Sequence, residues 1–254
     1  MNPKDNFFRI AFFGIVLFCI VFFKRPTQVN LESSFIPPFQ TISHPLGTDR
    51  LGRDLCALFG FGAVGTILFS IPLRLSTILV ASIFVFLEYS FGKIFSFWFE
   101  PLVSIFLSIP SLFTALMFAY FFGGGILVVL LSIVVSDWAV VYESLQAKVR
   151  EVKDSGFCIA SVLFGNSPFY IFKNHIFPEI YSIQKNLFLT GIPSVIMTLS
   201  LFSYLGIDTA SEIFGPGFGE QISFSKDFFS KSPLSLIIPI IGISSLIFFL
   251  SPKK

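Results

Sequence analysis

Apolar residues along this chain gather into six runs, at residues 10–23, 62–87, 95–122, 126–142, 187–205 and 234–250. A helix that crosses a bilayer needs about 20 predominantly apolar residues, and the pattern predicts one span per run. The first run is short unless Phe7, Phe8 and a snorkelling Arg9 extend it at its edge. Prolines fall inside the third run (Pro101, Pro110) and the fifth (Pro193). A helix bundle tolerates them because neighbouring helices satisfy the freed carbonyls. Residues 24–60 and 206–233 are polar and rich in turn formers, and Gly123-Gly124-Gly125 turns the chain between the third and fourth runs. Residues 143–185 are the most charged stretch and are too polar to span. The expectation is an all-α integral membrane protein of six transmembrane helices, with residues 1–60 forming an N-terminal span and outer loop and residues 61–254 a core of five spans.

Composition turns that pattern into a solvent assignment. Of 254 residues, 54% are hydrophobic and only 13% charged, with a mean hydropathy of +0.84; a soluble domain carries about 25% charged residues. The 37 phenylalanines exceed what one water-soluble core could hide. A soluble domain and a disordered chain are both excluded. A net charge of +2 without a basic stripe argues against nucleic-acid binding. Three cysteines at unrelated spacings imply neither a disulfide framework nor a zinc knuckle, and His44 and His175 lack the helpers a metal site needs. Lys4 and Arg9 before the first run resemble a signal peptide, but no small-x-small cleavage site follows, so the segment reads as a retained span.

Charge also sets the orientation. With the N-terminus inside, the inner segments hold Lys4, Arg9, Lys93, Lys148, Arg150, Lys153, Lys173, Lys185, Lys253 and Lys254, and the outer ones Lys24, Arg25, Arg50, Arg53, Lys226 and Lys231. That excess places both termini in the cytoplasm by the positive-inside rule. Arg74 is left inside the second run, where a charge costs about 2.5–3.5 kcal/mol on insertion scales. Either it faces a translocation path or a partner's carboxylate, or it pairs locally with Asp137 or Glu100. Asp137, beside Trp138, reads as an interfacial anchor rather than a proton relay.

Two polar segments carry the information. In the inner one, residues 154–178 read as two short helices with a break. Phe157, Ile159, Ala160, Leu163 and Phe164 give the first an apolar face, and Gly165 ends it. Ser167 and Pro168 start the next, which Pro178 closes. A short exposed helix with an apolar face needs either a lipid surface or a protein groove to lie in. In the outer segment, His44-Pro45-Leu46-Gly47-Thr48-Asp49-Arg50-Leu51-Gly52-Arg53-Asp54 combines two glycines with alternating Asp and Arg. That composition suggests a self-paired, tightly turned loop.

The string from His44 to Asp54 closely resembles the HPLGTDxLGRD signature of the C-type permease subunits of ABC importers for dipeptides, oligopeptides and nickel. Further along, Trp138, Gly165 and His175-Ile176-Phe177-Pro178 are similar to that family's fourth-span tryptophan, coupling-loop glycine and His-Ile-Leu-Pro element. Ser203-Tyr204-Leu205-Gly206 resembles its Ser-Phe-Leu-Gly, and Pro110 its third-span proline. The resemblance departs at Ile159 (the family has Glu), Ser161 (Ala), Glu143 and Gln146 (often Arg), Leu199 (often Glu), and after Gly206, where Ile207-Asp208-Thr209-Ala210 and a Gly215-Pro216-Gly217-Phe218-Gly219 turn replace the usual pattern.

The resemblance implies half of a type I ABC importer channel in a bacterial inner membrane. Such a subunit pairs with a distinct second permease, two cytoplasmic ATPase subunits and an extracytoplasmic substrate-binding protein. Asp154, Phe157, Ile159, Ala160, Ser161, Gly165, His175 and Pro178 would then form the element that couples to the ATPases, and His44, Gly47, Thr48, Asp49, Gly52, Arg53 and Asp54 the outer-loop motif. The chain has no GxxxxGK(S/T) phosphate loop, so ATP chemistry would lie on a partner, no cofactor would bind here, and the chain would not itself be an enzyme. Two other classes compete. A stand-alone secondary transporter calls for inverted repeats and midplane ionisable pairs. An integral-membrane enzyme calls for a clustered catalytic constellation at one membrane face.

Overall fold

The computed structural model describes residues 3–27, 29–123, 125–207 and 213–251, with side chains from residue 7 onward. Gly124 of the glycine turn, Asp208, Thr209 and Ala210, the side chain of Lys4, and Lys253 and Lys254 lie outside the described residues. The major elements are helices: α1 (Pro3–Phe22), α2 (Leu55–Phe91), α3 (Lys93–Ser108), α4 (Ser111–Phe121), α5 (Ile126–Lys153), α6 (Gly156–Leu163), α7 (Pro168–Ile171), α8 (Phe177–Tyr204), α9 (Phe218–Ser225) and α10 (Pro233–Leu250). Among the described residues, four helices are long and apolar enough to cross a membrane: α2, α5, the continuous stretch Pro168–Tyr204, and α10. The α3–α4 pair supplies a fifth if it counts as one span, and α1 has the shorter apolar stretch Phe7–Phe22.

The third run is not one straight span. α3 and α4 meet at 94° across Ile109 and Pro110. Ile109 is extended (φ −105°, ψ 132°), the conformation a residue before proline is pushed into. Pro101, by contrast, sits inside α3 without ending it.

Pro178 does not close a short helix as its position suggested. It is the second residue of α8, and the chain stays helical from Pro168 to Tyr204. The reason is a π-turn over Phe172–Ile176, in which the Phe177 N–H donates to the Phe172 carbonyl. A proline inside a helix clashes with the carbonyl four residues earlier. Widening the preceding turn to an i→i+5 bond moves that carbonyl aside, and the helix continues. The predicted fifth span is therefore the C-terminal part of a 37-residue helical stretch.

Contacts divide the chain into two units. One unit draws on residues up to Ile71, on Ala119–Leu130 and on residues from Ile192; the other on Pro72–Phe118 and Leu131–Gly191. The division is discontinuous because its boundaries fall inside α2, α4, α5 and α8 rather than in a linker.

In the second unit the core is aromatic at one level and aliphatic below. Phe84, Phe99 and Phe106 pack on Trp138 at ring-centroid distances of 5.0, 5.5 and 5.3 Å. Tyr142 donates to the buried Glu88, which also accepts from Ser96 (3.0 Å), so α2, α3 and α5 share one satisfied carboxylate. Leu145, Val149 and Val152 carry the core on to Cys158, Ile171, Phe172 and Ile176.

The first unit holds an element the hydropathy pattern concealed. The segment expected as a polar loop at residues 206–233 contains α9, whose Phe218, Gly219, Gln221 and Ser225 are buried. Phe218 fits against Gly62 and Gly242, where a Cβ would strike its ring, and a Cβ on Gly219 would land on the Ser200 carbonyl oxygen. Gln221 satisfies its amide by donating to the carbonyls of Leu58 and Pro216, both at 3.0 Å.

Candidate functional site

The motif loop folds into one hydrogen-bonded turn whose centre is Asp49. One carboxylate oxygen of Asp49 accepts the backbone N–H groups of Leu51 and Arg53 (both 2.9 Å), and the other takes the Arg53 guanidinium in a forked pair at 2.8 and 2.7 Å. Both side chains are nearly enclosed. Gly52 takes φ +73° and Gly47 φ +85°; a Cβ would meet the Asn30 carbonyl at the first and the Ile36 carbonyl at the second. The motif's last residue does a different job. Asp54 Oδ1 accepts the Ala57 N–H (2.9 Å) as the N-cap of α2, which is why that helix begins at Leu55, seven residues before the apolar run. Its Oδ2 pairs with His44 Nδ1 at 2.9 Å.

Thr48 fastens this turn to the preceding short 3-10 turn at Leu31–Ser33 and the chain just after it. Its hydroxyl is fully buried, donates to the Ser33 carbonyl (2.5 Å) and accepts from the Ile36 N–H (2.9 Å). Thr48→Val keeps the shape but strands both partners. The expected loss is about 1–3 kcal/mol, read as a lower melting temperature and earlier proteolytic cleavage within residues 30–54.

Arg74 has its partner within the chain, and it is Asp137. Nη1 meets Asp137 Oδ2 at 2.8 Å, while Nε and Nη2 both donate to the Leu187 carbonyl, at 3.0 and 2.8 Å. The Arg74 side chain is 6% exposed. A guanidinium so enclosed offers almost no surface to a path, so the local alternative accounts for it. Gly191 makes the room: a Cβ there would overlap the guanidinium.

The inner segment presents a two-faced helix. On α6, Cys158 and Ser161 are buried at 3% and 5%, while Phe157, Ile159 and Val162 stand out and Leu163 and Phe164 are 81% and 86% exposed. Ala160 is half-buried between the two faces. The helix ends in a Schellman turn: the Asn166 N–H donates to the Ser161 carbonyl and the Gly165 N–H to Val162. Gly165 takes φ +79° with open space around it, so only its backbone freedom is being used. Ser167 caps α7 through the Tyr170 N–H (3.2 Å), with Pro168 following.

Of the residues assigned to coupling, the structure brings Phe157 and His175 together, with ring centroids 5.7 Å apart, and Tyr170 flanks the imidazole at 6.2 Å. Asp154 lies in the exposed turn before α6, and Pro178 is exposed at the start of α8. Sequence reasoning missed the residues that hold this element from behind. The Tyr89 hydroxyl donates to the Pro168 carbonyl (3.0 Å), and Lys153 lies over the Tyr89 ring at 4.7 Å. Lys148 reaches both Glu151 (2.7 Å) and Glu179 (3.6 Å). Glu143, one of the departures from the family pattern, faces Arg150 at 3.8 Å. Among the described residues no group of three His, Cys, Asp or Glu could hold a metal ion.

Comparison with known proteins gives these sites a context. Residues 78–251 match the family described as binding-protein-dependent transport system inner membrane component. The chain is 25% identical over 214 residues to the dipeptide transport system permease protein DppC of Bacillus subtilis, covering 80% of this chain and 66% of that protein. It is 25% identical over 202 residues to the DppC of Lactococcus lactis, covering 79% of this chain and 58% of that protein. Over 252 residues it is 23% identical to the oligopeptide transport system permease protein OppC of Haemophilus influenzae, covering 94% and 80%. The chain thus spans 66% and 58% of the length of the first two relatives, less than two thirds of each.

Proposed function

The chain belongs to the binding-protein-dependent transport system inner membrane components, a multi-pass inner-membrane family, and from that premise we propose that it is a permease subunit of an ATP-driven peptide importer. Peptide is the cargo the relatives' names support, dipeptide for two of them and oligopeptide for another; nothing favours nickel. In this reading α1, α2, the bent α3–α4 pair, α5, the Pro168–Tyr204 stretch and α10 make six passes. Both termini and α6 then lie on the cytoplasmic side and the His44–Asp54 turn outside. A second permease completes the channel, two ATPase subunits receive the coupling helices of the two permeases, α6 being this chain's, and a binding protein delivers peptide to the outer face.

One observation carries the reading. α6 is fastened from behind by Cys158, Ser161 and the Tyr89–Pro168 bond, yet leaves Leu163 and Phe164 uncovered. A rigid mount with an apolar outer face suits force transfer from a docked subunit. Arg74 and Asp137 form an ion pair, but the guanidinium is enclosed and also tied to the Leu187 carbonyl, so the pair reads as structural and not as the open midplane site a secondary transporter calls for. The test is purification from native membranes in mild detergent followed by reconstitution. The expected preparation contains a second permease and two ATPases, and it takes up dipeptide only with ATP and binding protein. Uptake by the chain alone, driven by an ion gradient, would overturn the reading.

A further inference from the structure

At the end of α1 lies an open cleft of about 670 Å³, the size range of small-ligand sites. One wall is hydrocarbon: Phe18 and Phe22, ring centroids 4.6 Å apart and tilted, with Phe22 71% exposed and Ile42 fully exposed at the rim. The opposite wall is polar and cationic, with Lys24, Arg25 and His44. The charges there do not cancel. Arg53 is consumed by Asp49, and Asp54 by His44 and the α2 N-terminus. Lys24 and Arg25, both exposed, enter no ion pair among the described residues. Two adjacent cations just past the end of an apolar helix, beside aromatic side chains, stand where a lipid headgroup meets its acyl chains.

We propose that this cleft binds an anionic phospholipid, its phosphate held by Lys24 and Arg25 and an acyl chain laid along Phe18 and Phe22. A zwitterionic lipid carries its own ammonium and would leave the paired cations uncompensated. A free phosphate would leave the aromatic wall unused. The bound lipid would hold α1, the shortest apolar stretch, at a fixed depth. The proposal rests on the reading of α1 as a membrane span, and the experiment separates the two.

The probes are phosphatidylglycerol and phosphatidylcholine carrying a photoactivatable group on one acyl chain, in vesicles holding the intact transporter complex, with crosslinks mapped by mass spectrometry. Crosslinks to Phe18–Phe22 are expected to favour phosphatidylglycerol roughly thirty-fold, the effect of two cations at an anionic lipid surface. K24Q/R25Q should bring the two lipids to parity, and Ile42→Glu, at a fully exposed position, should lower the preference by adding a negative charge at the rim. Equal crosslinking of both lipids in the native protein, or an unchanged preference in K24Q/R25Q, overturns the charge argument while leaving α1 in the bilayer. Crosslinks elsewhere on α1 but none at Phe18–Phe22 from either lipid end the proposal and leave α1 a span; no crosslink anywhere on α1 overturns the placement of α1 itself. Displacement of phosphatidylglycerol by excess inorganic phosphate would make this a site for a free anion and likewise overturn it.

Discussion

Asp137→Ala is expected to lower the stability of the protein by about 3–5 kcal/mol, the cost of leaving one partner of a buried ion pair alone. Arg74 is deep in α2 and its guanidinium has two destinations, the Asp137 carboxylate and the Leu187 carbonyl. Without the carboxylate a full positive charge faces a single carbonyl dipole in an apolar surround. Arg74→Leu removes the opposite partner and is expected to cost nearly as much, because Asp137 is then the uncompensated group. If Arg74 lined a path, the same substitution would spare assembly and impair only transport; the enclosed geometry reverses that expectation. The double variant R74L/D137L removes both charges and should recover most of the loss, since an apolar pair of similar volume replaces a desolvated ion pair at little net cost. Thermal unfolding of the purified complex for the two single variants and the double closes a cycle. Additive losses would mean the two side chains do not stabilise one another. Gly191→Ala belongs to the same test, as its Cβ would displace the guanidinium from Leu187.

Much of this could be read from the sequence, for identifiable reasons. Apolar runs announced the helices, and the starts of α5 and α10 fall within one residue of the pattern, although α5 runs on through charged residues to Lys153. The Schellman turn at Gly165 and the cap at Ser167 were also legible, because such end signals are local chemistry. The errors have other causes. α2 starts early because Asp54 caps it and Leu55–Phe61 is already apolar; the expected run was drawn too short by ending the polar loop at Gly60. Pro178 looked like a helix stop because the rule assumes the preceding turn is α; a π-turn there suspends the rule. α9 looked like loop because its burial depends on glycines far away in sequence, Gly62 and Gly242, that leave space for one phenylalanine. The partner of Arg74 was one of two candidates, and only the fold could choose between residues 63 positions and fewer apart. The outer motif was recognised as a string; that Asp49 is its hub and Asp54 a helix cap is information its spacing does not contain.

The exposed face of α6 gives the second large effect, and it decides between the two ways such a helix can be covered. Substituting Leu163 and Phe164 together by aspartate is expected to abolish peptide uptake and to release the ATPase subunits on purification. Apolar anchors at the centre of an interface are each worth about 2 kcal/mol or more, so losing two weakens docking by roughly a thousand-fold. The fold should not suffer, because these side chains are 81% and 86% exposed while α6 is held by Cys158 and Ser161 on its other face. An unchanged melting temperature of the isolated chain is the control. Gly165→Val probes the same interface through geometry. Nothing lies within 4 Å of a Cβ at Gly165, so the penalty is the left-handed backbone alone, about 1–2 kcal/mol for a residue with a side chain. The chain can relieve that strain by unwinding the turn and re-aiming α6. The expected signature is ATPases that stay bound and hydrolyse ATP with reduced peptide uptake per ATP, unlike the aspartate pair, which loses the ATPases outright. If instead the aspartate pair co-purifies with ATPases in the native ratio, the apolar face of α6 is not the docking surface, and force must reach the spans by another route.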